Sequence, residues 1–131
     1  MPASTDIKLS NLSYVIIYVK DAQKALPFYK DILGMKVKND DDNWIELETG
    51  ATTLALHGNE ELKTIARDGQ PVLVFSVEDI HGTYKALQAK GIKFNNEPHT
   101  VCEAGPEQVG MSADFRDPEG NLLSIFGMVK K

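Results

Sequence analysis

The sequence predicts an α+β fold built from two copies of one β-α-β-β-β module, and three observations carry that prediction. First, a β-branched strand followed by a helix-capping aspartate occurs twice, with Val19 and Asp21 recurring 58 residues later as Val77 and Asp79. Second, the echoes continue in order: Gly34 returns as Gly91, Gly50 as Gly120, and Leu54-Ala-Leu-His-Gly58 as Leu123-Ser-Ile-Phe-Gly127. One such match can arise by chance, whereas an ordered series with small insertions marks an internal repeat. Third, the chain has 131 residues, which is about one domain. Each half is too short to bury a stable core alone, so the two modules are expected to share one.

The elements follow in order. Residues 1–9 are small and polar and read as a flexible arm, with one domain over residues 10–128. The first module spans residues 10–58. Its opening strand is Tyr14-Val-Ile-Ile-Tyr-Val19, rich in β-branched and aromatic side chains. Asp21 stands where its carboxylate can accept orphan backbone N–H groups of a helix. Ala22, Ala25, Leu26, Phe28, Tyr29, Ile32 and Leu33 recur at helical spacing, and Gly34 closes the helix. Pro27 conflicts with this pattern because it has no N–H to donate, so the regular helix is expected to begin near it after a short first turn. Met35–Val37, Trp44–Glu48 and Thr52–His57 read as strands, and the acidic run Asn39–Asn43 as a solvated turn.

Residues 59–70 form a polar connector, and the second module covers residues 71–128. Val72–Val77 is its first strand, Asp79 its cap, and Ile80, Tyr84 and Leu87 its helix face, closed by Gly91. Ile92–Phe94 is expected to begin a strand. A long loop, Asn95–Gly110, could serve as a lid. Met111–Phe115 and Asn121–Phe126 are the last strands. Asp117-Pro-Glu-Gly120 joins them as a turn, in which Pro118 presets φ and Gly120 accepts a positive φ.

Composition excludes several classes. Lys and Arg number 14 against 19 Asp and Glu, a formal charge of −5, the wrong sign for a nucleic-acid partner. No apolar run approaches the roughly 18 residues needed to span a bilayer, and Met1–Lys8 has no apolar signal core. The single cysteine, Cys102, cannot form an internal disulfide, so a cytoplasmic location is expected.

Two stretches carry a family resemblance: Tyr18-Val-Lys-Asp21 with Phe28-Tyr29 and Ile32-Leu-Gly34, and Phe115-Arg-Asp-Pro-Glu-Gly-Asn121. With the βαβββ repeat, they resemble the vicinal oxygen chelate superfamily, which includes glyoxalase I, extradiol dioxygenases, fosfomycin-resistance enzymes and bleomycin-resistance binding proteins. The resemblance implies a cup-shaped, mostly antiparallel sheet, with each module forming half a cup, and a homodimer. It implies fold more firmly than function, since the scaffold hosts several chemistries.

Family enzymes place one metal ligand on the first and one on the last strand of each module, drawn from His, Glu and Gln. The matching positions here are Tyr14, Ala55, Val72 and Ser124. Ala and Val offer no lone pair, and neutral hydroxyls of Tyr and Ser are weak donors. A slip of one residue supplies neither a histidine nor a carboxylate, and would turn to the other sheet face. No metal and no other cofactor is therefore expected.

Strand alternation sorts the cup lining. Tyr14, Ile16 and Tyr18 should share the cup face with Trp44, Glu46, Glu48, Thr53, Ala55 and His57. Val72, Val74, Ser76, Leu122, Ser124 and Phe126 follow from the second module. Tyr14, Tyr18, Trp44, Glu46, Ala55, His57, Val72, Ser124 and Phe126 are the candidate ligand-binding residues. Such an apolar and aromatic lining suits an apolar or aromatic small molecule held by a few hydrogen bonds. His57 and Glu46 are the catalytic candidates, since together they could act as an acid/base pair. Three readings follow: a metal-free binding protein of the glyoxalase/bleomycin-resistance type; an enzyme of the same superfamily, a glyoxalase-like lyase or isomerase, built around His57 and a carboxylate; or an interaction module whose cup is plugged by its own side chains. His81, His99 and Cys102 carry weaker signals: His81 is expected to be exposed, and Cys102 has no activating partner nearby in sequence.

Overall fold

The computed structural model describes residues 12–60 and 71–131. The expected arm, and residues 61–70 of the connector, lie outside the described residues. Module one runs β1 (Tyr14–Val19), α1 (Ala22–Pro27), a π-helical turn (Phe28–Ile32), β2 (Val37–Asp41), β3 (Trp44–Thr49) and β4 (Thr52–Gly58). Module two runs β5 (Leu73–Ser76), α2 (Ile80–Ala89), β6 (His99–Glu103), β7 (Gln108–Arg116) and β8 (Leu122–Lys130). Each module forms a four-stranded mixed sheet, ordered β1-β4-β3-β2 and β5-β8-β7-β6.

The repeat extends to the pairing register. The first and last strands of each module pair in parallel, Val15 against Leu54 and Leu73 against Leu123. These partners stand at the same 58- and 69-residue offsets that the sequence echoes give. The aspartate caps also repeat: Asp21 accepts from the backbone N–H of Gln23 and Lys24, and Asp79 from that of Gly82. The repeated glycine has a steric reason. A Cβ at Gly127 would lie 3.0 Å from the Val77 carbonyl oxygen and 3.2 Å from Cβ of Ile80, and one at Gly58 would lie 3.1 Å from the Ala22 backbone nitrogen. In both modules glycine lets the start of the helix cross closely over the last strand.

Several local expectations are corrected. The α-helix begins at Ala22 and ends at Pro27, instead of beginning there. Pro27 gives Gln23 no N–H, and the chain continues in a wider turn in which Leu33 N–H donates to Phe28 five residues back, at 3.0 Å. The strand expected at Met35–Val37 starts at Val37 and takes in Asn39–Asp41, because those residues pair with Trp44–Glu46 of β3. Only the end of the acidic run turns, with Asp42 at a φ of 53°. Ile92–Phe94 forms no strand; Phe94 makes a single bridge to Phe115. The long loop instead holds β6 and the start of β7, which pair with each other.

One core joins the modules. Ile17, Val19, Ile45, Leu47, Leu54 and Leu56 from the first sheet pack in the same cluster as Ala113, Phe115, Leu123 and Ile125 from the second. Ala22, Ala25 and Tyr29 on one side and Ile80 on the other belong to it. Phe28 and Phe115 meet across the modules with ring centroids 6.5 Å apart. Tyr29 Oη donates to Asp117 Oδ2 at 2.6 Å, and both groups are buried. The helix-facing sides of both sheets contribute to this core and also line a cavity of about 960 Å³ with Val15, Leu54, Leu73, Phe75, Phe115 and Ile125, and the opposite, outer face of each sheet lies outside this core. Tyr14, Ile16, Tyr18, Val72, Val74 and Met128 are exposed there.

Candidate functional site

Alternation along β1, β3 and β4 places the candidate residues of module one on a single outer face. The register makes rows across it: Tyr18, His57 and Trp44 in one, Ile16, Ala55 and Glu46 in the next, Tyr14, Thr53 and Glu48 in the third. His57 lies between two rings, 5.5 Å from Tyr18 and 5.4 Å from Trp44 by centroids. Trp44 also meets Tyr14 at 6.2 Å. Those two rings stand on opposite neighbours of β4 and reach toward each other diagonally across Ala55, whose exposure is 0%. Alanine is small enough to allow this.

The polar groups are arranged around the rings. Trp44 Nε1 donates to Glu46 Oε2 at 2.9 Å. The carboxylate thereby fixes the indole, and His57 is held by ring contacts; the expected His57–Glu46 pair shares a face, with the Glu46 bond going to Trp44. Lys38 Nζ donates to Thr53 Oγ1 at 3.1 Å.

The outer face of module two is built by β5, β7 and β8. Val72 immediately precedes β5 and is exposed, as is Val74. Ser124 is buried between Val74 and Asp114 in the register, and its hydroxyl donates to the Ala113 carbonyl at 3.3 Å. Phe126 is half-buried and lies against Gly110, close to Cys102. Asp114 was missed in the sequence, although alternation from Phe115 points it outward. Asn96 Nδ2 donates to its Oδ2 at 3.2 Å, and its backbone N–H donates to Asn96 Oδ1 at 2.9 Å. His81 and His99 are exposed, and Cys102 is an exposed thiol on β6.

These features agree with a family match. A family model described as Glyoxalase/Bleomycin resistance protein/Dioxygenase superfamily matches residues 11–125. The chain belongs to that superfamily. Among its relatives, the uncharacterized protein YraH of Bacillus subtilis is 33% identical over 135 residues, covering 90% of this chain and 98% of that protein. A lactoylglutathione lyase of Schizosaccharomyces pombe is 32% identical over 104 residues, covering 75% of this chain but 32% of the lyase. The crystal structure of the virulence protein STM3117 from Salmonella typhimurium superposes with a TM-score of 0.73 at 26% identity, covering 94% of this chain and all of that one.

A glyoxalase-superfamily metal can be tested against the residues present. The four ligand positions hold Tyr14, Ala55, Val72 and Ser124. Ala55 lies covered beneath aromatic rings, Val72 has no donor atom, and the Ser124 hydroxyl is engaged with backbone carbonyls. Among the described residues no three His, Cys, Asp or Glu side chains cluster to hold a metal. The donor set does not fit the group. No described helix is long and apolar enough to cross a membrane.

Proposed function

We propose that this protein binds an apolar or aromatic small molecule, without a metal ion, in a cup lined by the outer faces of its sheets. The observation that carries the reading is the replacement of the ligand set by an aromatic surface: Ala55 lies where a donor would stand, and Tyr14 and Trp44 meet over it. Aromatic side chains offer large contact area at low entropic cost. Tyr14, Tyr18, Trp44, His57 and Phe126 supply that surface, and Glu46, His57 and Ser124 supply polar anchors.

A homodimer completes the cup. Each outer face is half a lining, and the edge strands β1 and β5, with Val72 just before β5, expose Tyr14, Ile16, Tyr18, Val72 and Val74. A second copy related by two-fold symmetry would cover this apolar surface. The single exposed thiol, Cys102, suits a reducing cytoplasm. The lactoylglutathione lyase among the similar proteins keeps a glyoxalase-like reaction as the second function to assay, and His57 is the group on which it would depend.

The test uses the one tryptophan, Trp44, as reporter. Aromatic compounds are titrated against the protein while its fluorescence is read, with and without a divalent metal. Saturable changes that persist after chelation support the reading. A stoichiometric divalent ion, found by elemental analysis and required for binding, would overturn it. Turnover of a lyase or isomerase substrate that is lost in His57→Ala would replace it with the enzyme reading.

A further inference from the structure

Resting on the reading of the outer faces as ligand surface, we propose that the ligand carries a positive charge: an aryl or alkyl ammonium or a comparable organic cation, seated against the rings of Tyr14, Tyr18 and Trp44. The rings carry the argument. Tyr14 and Tyr18 are 47% and 46% exposed and flank Trp44 and His57 on one face. The negative face of an aromatic ring attracts cations, most strongly when several rings converge and solvent is excluded. The indole of Trp44 is not free to turn, because its Nε1 donates to Glu46.

Charge on the same surface agrees. Glu46 and Glu48 alternate with Trp44 along β3 and face the same way, so a carboxylate lies directly beside the rings. One oxygen of Glu46 accepts from Trp44, which leaves the other to meet an ammonium group. Lys38 is the opposing cation on this face; its ammonium donates to Thr53 Oγ1 and keeps its charge. On the second sheet, Asp114 faces outward next to Ser124, and Arg116 Nη1 donates to Gly120 in its own hairpin. The face of the first sheet thus sets two carboxylates, Glu46 and Glu48, against one lysine. An anionic ligand would have to approach a chain of net charge −5.

Three probes of one shape separate the possibilities: benzyltrimethylammonium, its neutral isostere neopentylbenzene, and the anion benzylsulfonate. Each is titrated into the full chain and followed by Trp44 fluorescence and by calorimetry. The expected result is that the cation binds at least about tenfold more tightly than the neutral isostere, and that Glu46→Gln narrows that ratio several-fold. Equal or tighter binding of neopentylbenzene, or preference for benzylsulfonate, overturns the cation assignment while the ligand-binding reading stands. Silence of all three probes overturns both. Calorimetry on wild type alone decides the order of affinities, so the test survives if Glu46→Gln fails to fold.

Discussion

Tyr29 of the first module and Asp117 of the second are joined by a buried hydrogen bond of 2.6 Å. Asp117 also accepts from the backbone N–H of Glu119 and Asn121 and from the Asn121 side chain. One carboxylate therefore shapes the hairpin before β8 and fastens that hairpin to the π-helical turn after α1. Lys20 N–H donating to Glu119 reinforces the same junction at 3.1 Å.

Replacing Tyr29 with Phe is expected to destabilise the fold by about 1–2 kcal/mol, because a buried acceptor loses a partner while keeping others. Asp117→Ala is expected to cost more, about 3 kcal/mol, since it strands the hairpin N–H groups as well as the tyrosine hydroxyl. Urea unfolding midpoints of the two variants measure the order. Equal midpoints for wild type and Tyr29→Phe would contradict the role given to this bond.

Gly127→Ala introduces a methyl 3.0 Å from the Val77 carbonyl and 3.2 Å from Ile80. Backbone has to give, so a loss of about 1–3 kcal/mol is expected. Gly50→Ala makes a useful contrast: a Cβ there meets nothing within 4 Å, and its cost comes from its φ of +86° instead. Thermal unfolding of the two variants separates crowding from backbone strain if a D-alanine is placed at residue 50 by chemical synthesis. The D-residue should restore stability there, whereas at residue 127 no choice of handedness is expected to do so.

Nickel, zinc or manganese added at millimolar concentration is expected to leave the melting temperature of the native dimer or monomer unchanged. A ligand that binds only the folded state raises stability by mass action, so even weak specific binding would register. A metal-dependent rise abolished by Ser124→Ala would show that the cup holds an ion after all.

Val74→Asp and Ile16→Asp place charges on the exposed edges of β5 and β1. Both side chains are exposed in the single chain, so folding should change little. If these edges meet a second copy, sedimentation should show a shift from dimer to monomer in either variant. Retention of the wild-type sedimentation coefficient in both would place any interface elsewhere.

Glu46→Ala removes the acceptor of the Trp44 indole. A shift in the emission maximum of Trp44 is expected, together with a stability change below about 1 kcal/mol because the pair is only half-buried. An unchanged emission spectrum would show that the carboxylate does not define the indole environment.

Much of this protein was legible as a chain of letters because the relevant chemistry is local. The aspartate caps at Asp21 and Asp79, the closing glycines Gly34 and Gly91, and the alternation in Tyr14–Val19 depend on a few neighbouring atoms, and they survive folding unchanged. The repeat offsets determined even the register between first and last strands. What depended on partners far along the chain was decided by the tertiary structure. Residues 37–41 became a strand because β3 pairs with them, and residues 99–103 because β7 does. Glu46 went to Trp44 instead of His57, and Tyr29 found Asp117 88 residues away. Above all, the helix-facing surfaces of both modules meet in one core, and the aromatic and apolar outer faces lie outside it. Local propensity and periodicity say which side of a strand is apolar, but only long-range packing decides which apolar side is spent.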